Sequence, residues 1–209
     1  YFGELSKRIV EGLIQAGFPP CPGGFMATNW CRPLSEWRQL FAQWIRLPQP
    51  QALLDAAIFF DFRAVAGGLS LESLEEIISG AKSEKRFLAH MLNGALAFRP
   101  PLGFFNRLRG ENGKVDIKKS GIAPIVGLAR VAALAAGSRA RSTLDRLAVA
   151  RPSDSVLDHE IARTLGEIFP FFLRLRLRAQ LAPHGKHQTL DNRVDLAELS
   201  GFERQQFKD

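Results

Sequence analysis

Apolar residues recur along most of the chain with the 3.6-residue period of amphipathic helices. Phe2, Leu5, Ile9, Leu13 and Ala16 share one face of a first segment, which Gly17 ends. Leu34, Trp37, Phe41, Trp44 and Ile45 form a second stripe, opening near Ser35 with Glu36 in its first turn and stopping before Pro48 and Pro50. Between them, Phe18 to Gly24 holds three prolines and two glycines and reads as a loop, with a short strand in Phe25-Met26-Ala27. The run Ala56 to Phe62 is apolar except for Asp61 and has strand length, the pattern of a strand buried on both faces. Beyond Gly67-Gly68 the helical period returns over 69–79 and 83–98. After Pro100-Pro101, Asn112-Gly113 marks a hairpin turn within 104–117. Helices follow over 122–136, ended by Gly137; over 143–150; over 155–181, which Pro170 kinks or splits; and after Ser200. The expected fold class is α+β and mostly helical, an α/β portion in residues 1–80 followed by an all-α bundle in 81–209.

At 209 residues the chain can bury a sizeable core, and 46% hydrophobic with 23% charged residues is a globular composition. Its longest apolar stretch, Ile122 to Ala136, is too short to span a bilayer and is interrupted by Arg130, so no membrane role is expected. Cys21 and Cys31 form no CxxC pair and the four histidines are scattered, which supports neither a disulfide framework nor a zinc site and suits a reducing, cytoplasmic setting. The net charge of +7 is uneven. Residues 1–100 carry 10 basic and 9 acidic side chains, net +1, and residues 101–209 carry 18 and 12, net +6. The second half should therefore face something anionic. The chain starts at Tyr1 without the order of a signal peptide, as a piece of a longer polypeptide would.

Asp61, in Ile58-Phe59-Phe60-Asp61-Phe62-Arg63, is the most informative residue. A carboxylate in so apolar a run must be paired with an arginine, bind a metal, or open into a cleft. Arg63 is its expected partner, and magnesium, which takes one or two carboxylates plus substrate phosphates, is the sharper alternative. Lys118 and Lys119 precede the helix carrying Arg130, and the three together are candidates for an anion-facing group at a helix N-terminus. Around Arg174, Arg176 and Arg178 the aromatic interleaving wanted by single-stranded nucleic acid is missing, which argues against that partner. Gly17 to Gly24 is neither a Walker loop nor GxGxxG, and no hydrolase, HExxH or kinase signature occurs.

Two ordered sets of motifs carry a family resemblance. Gly17-Phe-Pro-Pro-Cys-Pro-Gly-Gly-Phe-Met-Ala27, Leu34-Ser-Glu-Trp37 and Ile58-Phe-Phe-Asp-Phe-Arg63 resemble the C-terminal part of a nucleotidyltransferase domain similar to the uridylyltransferase of the PII nitrogen-signalling protein. Pro100-Pro-Leu-Gly-Phe-Phe105, Asp116-Ile-Lys-Lys119, Leu128-Ala-Arg130, Thr143-Leu-Asp-Arg-Leu147 and Asp191-Asn192 resemble the substrate-binding domain that follows it. The resemblance implies transfer of UMP or AMP from a nucleoside triphosphate to a protein or small-molecule acceptor. It further implies magnesium held by a carboxylate triad, of which Asp61 would be the third member. It also implies upstream cyclic-nucleotide-binding and CBS domains, a bacterial signalling setting, and a homodimer among the expected states.

The family's Gly-Ser and Asp-x-Asp motifs would lie before Tyr1. No two aspartates here are spaced i, i+2, and Gly137-Ser138 falls in the wrong half, so this chain is expected not to catalyse alone. The alternative is a helical interaction or sensory module whose enzyme ancestry has lapsed. Site expectations are Asp61 and Arg63 as catalytic residues, Asp61 also as metal ligand, and Lys118, Lys119, Arg130, Asp191 and Asn192 toward substrate. Asp191-Asn192 also reads as a turn that caps neighbouring backbone.

Overall fold

A computed structural model describes residues 1–98, 108, 110–149, 156–181 and 192–207. Pro100-Pro101, His184, His187 and Asp191 lie outside these residues. The described elements are α1 (Phe2–Gln15), α2 (Leu34–Arg46), α3 (Pro50–Phe59), α4 (Glu72–Gly80), α5 (Lys85–Leu96), β1 (Lys114–Asp116), α6 (Ala123–Ala135), α7 (Thr143–Ala148), α8 (His159–Leu181), β2 (Arg193–Asp195) and α9 (Gly201–Gln206). The fold is mostly helical α+β, its β component a two-stranded antiparallel ribbon.

Two apolar cores share one helix. The first gathers Phe41, Trp44, Ile45, Phe60, Leu74 and Phe87 from α2, the end of α3, α4 and α5. The second joins Val115, Ile125, Phe171, Phe172, Val194 and Phe207 from the ribbon, α6, α8 and the chain after α9. Helix α6 is apolar nearly all round, as a helix buried on two faces must be. It gives Leu134 to the first core and Ile125, Ala129 and Ala132 to the second. Its contact with α5 is close: a Cβ at Gly127 would sit 2.7 Å from the Ala95 Cβ.

The apolar run 56–62 is not a strand. Residues through Phe59 are helical, started by Pro50 in the first turn, where a missing N–H costs nothing and the ring presets the backbone. Read from Pro50, the segment is ten residues rich in Ala and Leu, helix length and helix composition. A short apolar run viewed alone has no period to separate the two states. Phe25-Met26-Ala27 is likewise not a strand but part of a tight loop. There the Gly24 carbonyl, at φ +76°, accepts from Asn29 Nδ2 (2.9 Å) and Trp30 Nε1 (3.2 Å). Phe25 stacks on Trp30 at 5.9 Å, and Trp30 packs on Phe59 at 4.3 Å, so the Pro-rich segment is pinned to the first core.

Asn112 and Gly113 both have positive φ, as the turn reading requires, and Glu111 bridges Lys114 across them. The partner of β1 is nevertheless β2, far along the chain. Lys114 faces Asp195, Asp116 faces Arg193, and Val115 faces Val194 in the core. Opposite charges on the outer face and a buried valine pair fix that register. Helix α8 runs through Pro170 unsplit. Ala162 on one side of the proline and Phe171, Phe172 and Leu175 on the other are buried in the same core, which outweighs the roughly 3 kcal/mol a mid-helix proline costs. The last helix opens at Ser200 with a full capping box to Glu203. Helix α1 forms as its period indicates, yet Phe2, Leu5, Ile9 and Leu13 are exposed. No helix of the described residues is long and apolar enough to cross a membrane.

Candidate functional site

Asp61 follows the buried Phe60 in the turn that ends α3, where the two cores meet. Arg130 reaches it from α6, donating from Nη2 to Oδ2 at 2.8 Å. Arg146 reaches it from α7, donating from Nη2 to Oδ1, and its Nε donates to the Ala140 carbonyl at 2.9 Å. Ser142 caps α7 by accepting from the Asp145 N–H, which sets the first turn on which Arg146 stands. The Arg146 side chain is only 7% exposed.

A second carboxylate with two arginines lies alongside. Glu75 on α4 accepts from Arg141 Nη2 at 2.7 Å and from Arg139 Nη1 at 3.0 Å. Arg141 also donates from Nε to the Phe62 carbonyl at 2.8 Å and lies 5.6 Å over the Phe62 ring. The loop bearing both arginines turns at Gly137. Its φ of +64° favours glycine, and a Cβ placed there would stand a tight 3.3 Å from the Ser79 carbonyl. Four guanidiniums and the Glu75 carboxylate thus line a cleft bounded by Phe60 and Phe62, and with Asp61, which pairs two of those guanidiniums, the cluster keeps a formal excess of two positive charges. The Nε of Arg130 is buried and has no partner among the described residues, a donor that an anion could satisfy.

Burial alone would raise the Asp61 pKa, but the hydrogen bonds and charges of Arg146 and Arg130 outweigh it and hold the carboxyl below the ordinary aspartate value. The charged form therefore contributes stability that is fully present above the unfolded-state pKa of about 3.9 and is lost as the pH falls through the depressed folded-state value. Urea unfolding between pH 6 and pH 3 should show stability falling below about pH 4. The same series on Asp61→Asn, starting from lower stability, should be flatter in that window, whereas parallel curves would remove Asp61 from the acid transition.

This arrangement corrects several expectations. The partners of Asp61 are Arg130 and Arg146, not Arg63, which is exposed and lines a different cleft. Magnesium does not fit at Asp61. Both carboxylate oxygens accept from guanidiniums, whose charges would oppose a divalent cation. Among the described residues no three His, Cys, Asp or Glu side chains stand close enough to share a metal ion. Lys118 and Lys119 are exposed and stand about three helical turns from Arg130, so the three form no common group. The Lys119 N–H is already taken by Asp116 Oδ1 at 3.1 Å. Among the described residues the Asn192 side chain caps no backbone group, and its Oδ1 accepts from Arg176 Nε at 2.7 Å.

Residues 85–209, more than half of the chain, match the family described as "Putative nucleotidyltransferase substrate binding domain". The chain belongs to that family. Residues 1–51 match a second family, described as "Putative nucleotidyltransferase DUF294". No curated protein and no solved structure matches the chain. All four site arginines lie within the substrate binding domain match, while Asp61, Arg63 and Glu75 lie between the two matches. Sequence reasoning missed Glu75, Arg139, Arg141 and Arg146. The available signal was the close spacing of three arginines just after the helix-ending Gly137.

Proposed function

We propose that this chain holds the anionic substrate of a nucleotidyltransferase reaction, with Arg130, Arg139 and Arg141 receiving the phosphates of a nucleoside triphosphate whose UMP or AMP is passed to an acceptor. The observation that carries this reading is the excess of guanidiniums over carboxylates in one cleft of a nucleotidyltransferase-type family member. Guanidinium forks match phosphate oxygens in geometry as well as charge. In this reading Asp61 is a positioning residue. It neutralises part of the cluster and fixes Arg130 and Arg146, while Glu75 holds Arg139 and Arg141 ready to exchange a carboxylate for a phosphate. A cytoplasmic location and upstream CBS or cyclic-nucleotide-binding domains are compatible settings for it.

Calorimetric titration of UTP and ATP against the whole chain, with chelator present, tests the proposal. The wild-type chain should bind at least one of them, more weakly as salt rises. Arg139→Ala with Arg141→Ala should weaken that binding by at least tenfold, while leaving the unfolding temperature nearly unchanged because both side chains are well exposed. Binding that survives the double substitution would overturn it. A second reading, a helical interaction module with lapsed catalysis, draws support from the capture of Asp61 by two arginines. It is the reading that complete absence of nucleotide binding would favour.

A further inference from the structure

The turn that presents Asp61 has a second side. Across Phe62 from the arginine cluster, α2, the end of α3 and the segment leading into α4 enclose an open cleft of about 320 Å³. Trp37, Phe41, Phe59, Phe62, Leu69 and Leu74 form its wall, and Arg63 and Arg32 are the charged residues on it. Its size lies within the range of small-ligand pockets. Arg32 is already engaged, donating to Glu36 at 3.1 Å. Arg63 makes no hydrogen bond or ion pair among the described residues. Its nearest acidic neighbour in sequence, Asp61, is taken by Arg130 and Arg146. An unpaired guanidinium thus stands beside an aromatic cleft.

The geometry points to a ligand site for an aromatic monoanion, with the ring of an aryl carboxylate against Trp37, Phe59 and Phe62 and its carboxylate on Arg63. The polar atoms of the lining side chains select this class. They are the two guanidiniums and the indole N–H of Trp37, all donors, so the side chains offer an anion what it needs and offer a ligand's own donors nothing. A nucleobase presents donors along its edge and would leave them unpaired, a loss of specificity-determining size. A purely apolar ligand would leave Arg63 unused. The two clefts share the Phe62 ring but no charged residue, and this inference does not rest on the nucleotide reading.

The test is calorimetric titration of the whole chain with 4-phenylbutyrate, with 4-phenylbutan-1-ol, 4-phenylbutylamine and UMP as comparisons. Phenylbutyrate should bind saturably, at least tenfold tighter than the alcohol or the amine, and should shift the Trp37 indole N–H resonance. Arg63→Gln should erase the advantage of the acid over the alcohol while leaving the alcohol's own affinity in place. Arg139→Ala, which removes a side chain whose partner among the described residues is Glu75 alone, should change neither, and this separates failure here from failure of the nucleotide reading. Equal binding of acid and alcohol, an unchanged acid affinity in Arg63→Gln, displacement of the acid by UMP, or no saturable binding would each overturn the proposal.

Discussion

Replacing Asp61 with alanine should cost the folded chain about 3 kcal/mol, the low end of the range for breaking a buried ion pair. The loss comes less from the pairing itself than from what is left behind. Arg146 is almost wholly buried and would keep its charge without a counter-ion, and Arg130, 13% exposed, would share that fate. The low end applies because the Asp61 side chain is itself one-third open to solvent, so water enters where the carboxylate was. For a chain of this length such a loss lowers the unfolding temperature by roughly 6–12 °C. Adding Arg146→Met should recover much of it by removing the stranded charge, and thermal unfolding of the three proteins checks both statements. An unfolding temperature unchanged in Asp61→Ala would mean that the ion pairs do not hold the two cores together.

The second large effect lies at the crossing of α5 and α6. Gly127→Val should destabilise the chain by about 3 kcal/mol, the upper part of the usual overpacking range, with a small further cost for a β-branched residue in a helix. The added Cβ would stand 2.7 Å from the Ala95 Cβ, and neither helix can retreat freely. Helix α6 is held on its other face by the second core through Ile125 and Ala129. Ala95→Gly in the same chain should restore part of the loss, and a double-substitution cycle by urea unfolding measures the coupling. Additive effects of the two substitutions would show that the helices do not meet at this point.

The helices could be read from the sequence because burial on one face writes a period into the chain. The stripes over α2 and α5, the stop at Gly137 and the capping box at Ser200 are all local signals, and all produced the elements they indicate. The run 56–62 was legible only as apolar, since a segment so short shows no period, and its helical state comes from residues before it, starting at Pro50. Helix α1 shows the opposite limit. Its stripe fixes the helix but not a partner, and the face stays exposed among the described residues.

The site was least legible of all. Asp61 stood out because a carboxylate in an apolar run needs a partner, and the sequence does raise an arginine as that partner. It cannot say which, because the two that arrive are 69 and 85 positions away. Arg63 was the natural choice by proximity, and the turn after α3 leaves it on the other side of Phe62 instead. Lys118, Lys119 and Arg130 looked like one group because they share a helical segment. About three turns of helix separate them, and distance along a helix is as effective a barrier as distance across a fold.

In the proposed function, arginines anchored by Asp61 and Glu75, and not a metal held by Asp61, receive the substrate's phosphates. Anomalous diffraction from a crystal of the chain grown with a non-hydrolysable nucleoside triphosphate and manganese tests it most directly. The expected result is phosphate oxygens within hydrogen-bond reach of the Arg130, Arg139 or Arg141 guanidiniums, with Asp61 still paired to Arg130 and Arg146 and no manganese peak beside it. A manganese peak on the Asp61 carboxylate, with those two arginines turned away, would contradict it.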